Sequence, residues 1–271
     1  MATDGTTYFM SHASPMLLMP EISGDMPLRA FFKKFPQTVE RPKAILAISA
    51  HWDTSAPTVS SMAKQDTIYD FGGFPRELYK IKYDAPGSPA VARRVVELLT
   101  AAGFDGSRMD SRRGLDHGSW VPMLLMYPDR DVPVLQLSVS SRKDGAWHYA
   151  LGQALAPLKD EGVVIMGMGQ TTHNLREVDR YHSGPPVGWA QAFDTWLSDS
   201  LMNKKYEDVC KFMEKAPYAR KSHPTPEHFL PLIVALGAAG KDCNSETIHH
   251  SWELGTFSMA CFAFHPVTAA E

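Results

Sequence analysis

Along the chain, short unbroken apolar runs alternate with longer stretches in which apolar residues return every third or fourth position. The short runs fall at Tyr8 to Met10, Ala44 to Ile48, Val132 to Val139, Val163 to Met168, Thr247 to Trp252 and Thr256 to Phe264. Their length and content predict strands. The periodic stretches predict helices over Pro89 to Ala102, Gly145 to Leu158, Trp189 to Met202, Tyr206 to Glu214 and Pro226 to Ala239. Strands and helices in this order predict an α/β fold, a single domain over residues 1–271 with a central mixed β-sheet flanked by helices on both faces. In such sheets the carboxyl ends of the strands frame the binding crevice.

Histidines collect at those ends. Three predicted strands run into one: "TYFMSH" at His12, "ILAISAH" at His51 and "VVIMGMGQTTH" at His173. His228, in "HPTPEHFLP", falls in the first turn of a predicted helix with Thr225 as N-cap and Pro226 as first helical residue. His117, in "GLDHGSW", is flanked by Gly114 and Gly118 and is read as a loop residue. A lone histidine beside apolar residues is most often a hydrogen-bonded core or surface residue, whereas several at strand ends on one rim converge by topology. Imidazole nitrogen suits iron, zinc, copper and nickel. His148, His182, His249, His250 and His265 have no comparable setting and are read as structural.

Composition narrows the chemistry. The chain has 27 Lys+Arg against 30 Asp+Glu, a formal charge of -3, with basic residues scattered, so neither nucleic acid nor an anionic membrane is an expected partner. No apolar run approaches the ~20 residues of a membrane helix, and "MATDGTTYFM" lacks the basic and apolar regions of a secretory leader, so a cytoplasmic protein is expected. Cys210, Cys243 and Cys261 are far apart and outside any CxxC spacing, which leaves histidine and carboxylate as metal ligands. "DFG" at Asp70 to Gly72 lacks the rest of a kinase and is read as a turn, and "GMGQTT" lacks the third glycine of a dinucleotide site. There is no GxSxG, Walker A or HExxH sequence.

The segments "SHASPM", "ISAHWD", "YDFGGFP", "APGSP", "GLDHGSW", "THNLR" and "HPTPEHFLPL" resemble, in the same order, the LigB superfamily of class III extradiol ring-cleaving dioxygenases, nearest to its DOPA-cleaving branch of plants and bacteria. The resemblance runs from about Tyr8 to about Phe264. It implies an iron(II) site on His12, His51 and His228, with zinc a possible occupant. It also implies that His173 is catalytic and in some relatives close enough to be a fourth ligand, and that His117 is a further active-site histidine. Protocatechuate-cleaving members carry a glutamate where this chain has a histidine, and Glu227 is its neighbour. The implied reaction is cleavage of a para-substituted catechol, DOPA or a caffeoyl-type phenolic, with O2 to a muconic-semialdehyde-type product. The general base and acid of that reaction would be a histidine near its ordinary pKa of ~6.5. After His173 the stretch "DRYHSGPPV" departs from the Pro- and Asp/Asn-containing segment of relatives that make the betalain precursor.

Two rival readings keep the same residues: a zinc-dependent hydrolase, because the nitrogens suit zinc and a bound water, and a Memo-like non-enzymatic metal-binding protein, because fold alone does not fix function. Monomer and homodimer are both compatible with the sequence.

Overall fold

The apolar runs form the middle of one sheet because each strand there is covered on both faces. The computed structural model describes residues 4–267, so the outermost parts of the expected domain, residues 1–3 and 268–271, lie outside the described residues. The strands are β1 (Thr7–Ser11), β2 (Ala44–Asp53), β3 (Thr58–Ser60), β4 (Arg108–Asp110), β5 (Val134–Val139), β6 (Val163–Gly169), β7 (Asn244–His249), β8 (Trp252–Glu253), β9 (Phe257–Ser258) and β10 (Cys261–His265). Among the described residues, eight of them make a sheet in the order β4-β3-β5-β2-β6-β1-β10-β7, and β8 pairs with β9 in a separate hairpin.

The sheet is mixed. β5, β2, β6 and β1 run parallel to one another, while β10 is antiparallel to both β1 and β7, as β3 is to β5. Within β2, Leu46 and Ile48 face one core cluster, and Ile45 and Ala47 face the other, the two-residue alternation of a strand buried on both sides. The first cluster is roofed by the helices Pro89–Ala101, Gly145–Leu155, Gly188–Met202 and Leu230–Ala239. The second is covered by Pro27–Lys34 and His117–Met126. Helix Leu230–Ala239 carries no charged residue and is buried on every side, so it is a central rod rather than an amphipathic cover. It crosses Gly145–Leu155 closely: a Cβ on Gly152 would lie 2.1 Å from the Val234 carbonyl oxygen. No helix of the described residues is long and apolar enough to cross a membrane.

The α/β class, the mixed sheet and the two-sided cover match the sequence expectation; several boundaries do not. The helix expected from Pro226 starts at Leu230, so His228 sits in the turn before it, where the Leu230 N–H donates to the Pro226 carbonyl at 3.2 Å. His117 is the first residue of a helix with Asp116 at its N-cap, not a loop residue. The stretch expected as one helix to Leu158 breaks at Ala156, because Pro157 has no N–H to continue the ladder. Helix Tyr206–Glu214 is interrupted at Lys211. Strands β3 and β4 are three residues each, too short for an apolar run to mark them.

Candidate active site

Parallel pairing puts the carboxyl ends of β1, β6 and β2 side by side, with Ser11 opposite Gly169 and Met168 opposite Ser49. His12 follows directly, its N–H donating to the Gly169 carbonyl at 3.0 Å. His51 lies where the β2–β5 register slips between Ser49 and Asp53, an irregularity that re-aims a side chain at a sheet rim. Gly169 lacks a Cβ that would fall 2.2 Å from the His228 carbonyl oxygen. That opening lets the turn before the buried helix dock on β6, where the Gln170 N–H donates to the His228 carbonyl at 2.9 Å. His173 follows four residues after β6, its N–H donating to the Ser222 carbonyl at 2.9 Å. Elements from five parts of the chain thus bring five histidines to one cavity of about 460 Å³.

The ring nitrogens of this cluster have a common logic. His12 Nδ1 lies 2.7 Å from the Ala13 carbonyl oxygen, which can only accept, so the proton is on Nδ1 and Nε2 is a bare lone pair. His228 Nδ1 faces the Glu227 carboxylate at 3.1 Å, and its Nε2 is buried with no hydrogen-bond partner. His51 Nδ1 faces the Asp70 carboxylate at 3.4 Å, while its Nε2 comes within 3.2 Å of His12 Nε2. Two bare nitrogens at that separation repel unless a cation lies between them. An Nδ1–H tied to a carbonyl or carboxylate, with Nε2 free, is the outer-shell arrangement of metal-ligating histidines, so the residues fit a divalent ion. Donor atoms fall into two groups close enough to share one: His12, His51 and His117, and His173, Glu227 and His228.

Electrostatics favours neutral rings at His12, His51, His173 and His228. Burial, reinforced by the neighbouring histidines, holds His12 and His228 well below the usual value. Burial and His117 bring His51 down to about 4, against the opposing pull of Asp116 and Asp70. Burial and His223, His51 and His117 bring His173 down to about 3. The expectation of a catalytic histidine near its ordinary pKa is therefore corrected for His173: desolvation beside like rings disfavours its charged form. The His173 ring stacks on His228, with centroids 3.5 Å apart and planes 9° from parallel. His117 is placed by Asp70, whose Oδ1 accepts from its backbone N–H at 2.9 Å and lies 3.0 Å from its Nδ1. Burial opposes ionisation of Asp70, but these contacts and His51 outweigh it and hold the carboxyl at about 2.

Sequence reasoning missed several supports. Asp70, read as part of a turn, bridges His51 and His117. Its signal was an acid inside the aromatic, glycine-bearing segment "YDFGGFP". Asp116 is fully buried beneath His51, accepting from Ser49 Oγ and Arg113 Nη2, each at 2.7 Å. Glu253, which no spacing marks, lines the cavity from the β8–β9 hairpin. His223 is buried behind the site with Nε2 2.9 Å from the Thr171 carbonyl oxygen. The histidines read as structural, His148, His182, His249, His250 and His265, are not among the cavity-lining residues.

Comparison with known proteins gives the geometry a context. A family profile described as the catalytic LigB subunit of aromatic ring-opening dioxygenase matches residues 6–265. A protein of Beta vulgaris named 4,5-DOPA dioxygenase extradiol is 50% identical over 260 residues, 95% of this chain and 96% of that one. Proteins of the same name from Mirabilis jalapa and Escherichia coli K12 are 43% and 40% identical, covering 97% and 85% of this chain and 97% and 83% of their own. The crystal structure of an uncharacterised protein from Escherichia coli K12 superposes with a TM-score of 0.77 at 34% identity, covering 95% of this chain and 98% of that one.

Proposed function

The chain belongs to the LigB family of aromatic ring-opening dioxygenases, and on that premise we propose that it is a non-haem iron(II)-dependent extradiol dioxygenase. Its substrate is a para-substituted catechol, DOPA or a caffeoyl-type phenolic, opened with dioxygen to a muconic-semialdehyde-type product. His12, His51 and His228 hold the metal, His173 moves the proton, and His117 contacts substrate or dioxygen. The chain acts as one catalytic domain. The observation that carries the reading is the meeting of the His12, His51 and His228 rings, centroids 4.9–5.4 Å apart, each with its Nδ1 facing a carbonyl or carboxylate oxygen.

Iron(II) on those nitrogens would supply open positions for both catechol oxygens and dioxygen, and the redox chemistry that couples them. The side chains supply the rest. His173, unprotonated at neutral pH because burial holds its pKa near about 3, accepts a phenolic proton at a ring nitrogen. The negative charge of the bound catecholate raises its hold on that proton, which it returns to oxygen as the ring opens. Stacking on His228 fixes the plane in which the transfer occurs. His117, its Nδ1 beside Asp70, leaves Nε2 for the ligand. Phe71, Phe74, Phe257 and Met259 line the cavity and exclude water from the reacting ring.

The test is reconstitution with iron(II) without oxygen, followed by addition of labelled dioxygen to DOPA, caffeate-type and protocatechuate-type catechols. Mass spectrometry is expected to find a ring-opened product carrying the label. Iron in the site with no labelled product from any catechol would overturn the reading.

A further inference from the structure

Glu253 has no part in that chemistry, yet it is built into the cavity. Glu253 and Phe257 are opposed positions of the β8–β9 hairpin, and opposed residues of an antiparallel pair send their side chains to the same face. The Phe257 ring lies 6.1 Å from the His173 ring and 28° from parallel to it, so the Glu253 side chain leaves the hairpin on the face that looks toward His173. Its Oε1 is sealed from solvent with no donor among the described residues. Burial pushes its pKa up to about 7, with Arg29 opposing from a distance. Three of the five Arg29 N–H groups are engaged elsewhere: Nε on the Leu17 carbonyl at 2.7 Å, Nη1 on the Gly24 carbonyl and Nη2 on Ser23 Oγ, each at 2.8 Å. A desolvated carboxylate without a partner is unfavourable, and none of these groups supplies one.

The remaining lining defines what could supply it. No lysine or arginine is among the residues that line the cavity, and its other carboxylate, Asp70, is committed to His51 and His117. The cavity therefore has an uncommitted acid and no lysine or arginine to receive a carboxylate.

We propose that Glu253 is a specificity-determining residue that contacts the substrate, receiving the ammonium of a catechol whose para side chain carries an amine and selecting it over catechols whose side chain ends only in a carboxylate. The inference rests on the dioxygenase reading for what holds the catechol oxygens. With those oxygens on the metal that the histidines would hold, the para substituent extends away from the metal into the cavity that Glu253 and Phe257 also line, and the aromatic face of Phe257 suits a cation as well.

The contrast is read without turnover, on the zinc-loaded protein. Calorimetry would measure dopamine, 4-methylcatechol and 3,4-dihydroxyphenylacetate against the unsubstituted protein, Glu253→Gln and Glu253→Leu, with metal content and thermal unfolding as checks on the fold. The unsubstituted protein is expected to prefer dopamine. In both variants the loss for dopamine should exceed that for 4-methylcatechol by about 10- to 100-fold, as expected for a hydrogen bond to a charged group. Retention of the dopamine preference in either variant would overturn the proposal. Equal binding of dopamine and 4-methylcatechol by the unsubstituted protein, or no binding of either, would overturn it with no variant needed. Failure of the iron-loaded protein to open any catechol would count against the dioxygenase reading alone, because the binding contrast does not depend on oxygen.

Discussion

Gly118, which neither binds nor reacts, gives the sharpest test of how tightly the proposed metal site is held. It is the second residue of the helix His117–Met126, and a Cβ there would lie 2.7 Å from His51 Cδ2 and 3.4 Å from His12 Cδ2. Carbon atoms rest about 3.5–4.0 Å apart, so Gly118→Ala must displace the His51 ring by roughly 0.8–1.3 Å. The ring has little room to yield, because His117, His12 and His228 stand 4.1, 4.9 and 4.9 Å from it centroid to centroid. Ligand distances in metal sites tolerate only about ±0.2 Å, and disturbing the groups that orient a ligand costs about 10–100-fold in affinity. Alanine meanwhile favours a helix over glycine by about 0.8–1 kcal/mol, which offsets part of the crowding. Metal affinity should therefore fall about 10–100-fold while unfolding of the metal-free protein shifts by no more than about 1 kcal/mol. Competition against a chelator of known affinity measures the first, and guanidinium unfolding the second. Gly188→Ala, where an added Cβ meets nothing within 4 Å, is the control. Wild-type metal affinity in Gly118→Ala would refute the argument that these rings are packed into their ligand positions.

Removing one nitrogen by His228→Ala or His12→Ala should abolish stoichiometric metal binding, read by metal analysis of the dialysed protein; full occupancy in either would remove that residue from the ligand set. His173→Ala should keep its iron and lose about 100- to 10,000-fold in turnover, the usual cost of a proton-transfer group, and near-normal oxygen uptake would reassign it. Asp70→Asn should weaken metal binding about 10–100-fold, checked by the same chelator competition, with an unchanged constant pointing to a purely structural aspartate. Acid stability also draws on buried histidines outside the proposed ligand set. His148 and His223 are each brought down to about 4 by burial, so as pH falls from about 6.5 toward 4 the unfolded chain binds protons that the fold refuses. Stability is present above that window and is lost within it, by about 1.4 kcal/mol per pH unit for each such group. His148→Gln should flatten the slope of unfolding free energy between pH 6 and 5 by about that amount, and an unchanged slope would exclude His148 as a contributor.

The parts of this molecule legible in the sequence are those where a local pattern has a global consequence. The apolar runs of β1, β2 and β6 mark the centre of the sheet because central strands are buried on both faces, and the histidines at their ends gather because parallel strands share a rim. His117 was found by its glycine neighbours but placed in the wrong element, since "HGSWVPMLLM" is apolar nearly all round and has no periodicity to announce a helix. The turn holding His228 was read as helix because Pro226 is a good first helical residue, while the approach of His228 to Gly169 that fixes the turn is a tertiary contact. Asp70 and Glu253 were not legible as site residues. Their roles come from segments remote in sequence, a loop folded over His117 and a hairpin beside His173, and no spacing encodes such meetings.

The order of strands also sets when the site can come into being. β1, which delivers His12, lies between β6 and β10, so the first strand of the domain gains its second neighbour only when residues 261–265 arrive. A chain emerging from the ribosome holds His12 and His51 long before the segments that carry His173 and His228 exist, and contacts of such long sequence separation form slowly. Capture of the ion on all three proposed ligands is then a late event, after synthesis of residues 261–265. A chain cut before residue 261 would lack the strand that closes β1 on its second side.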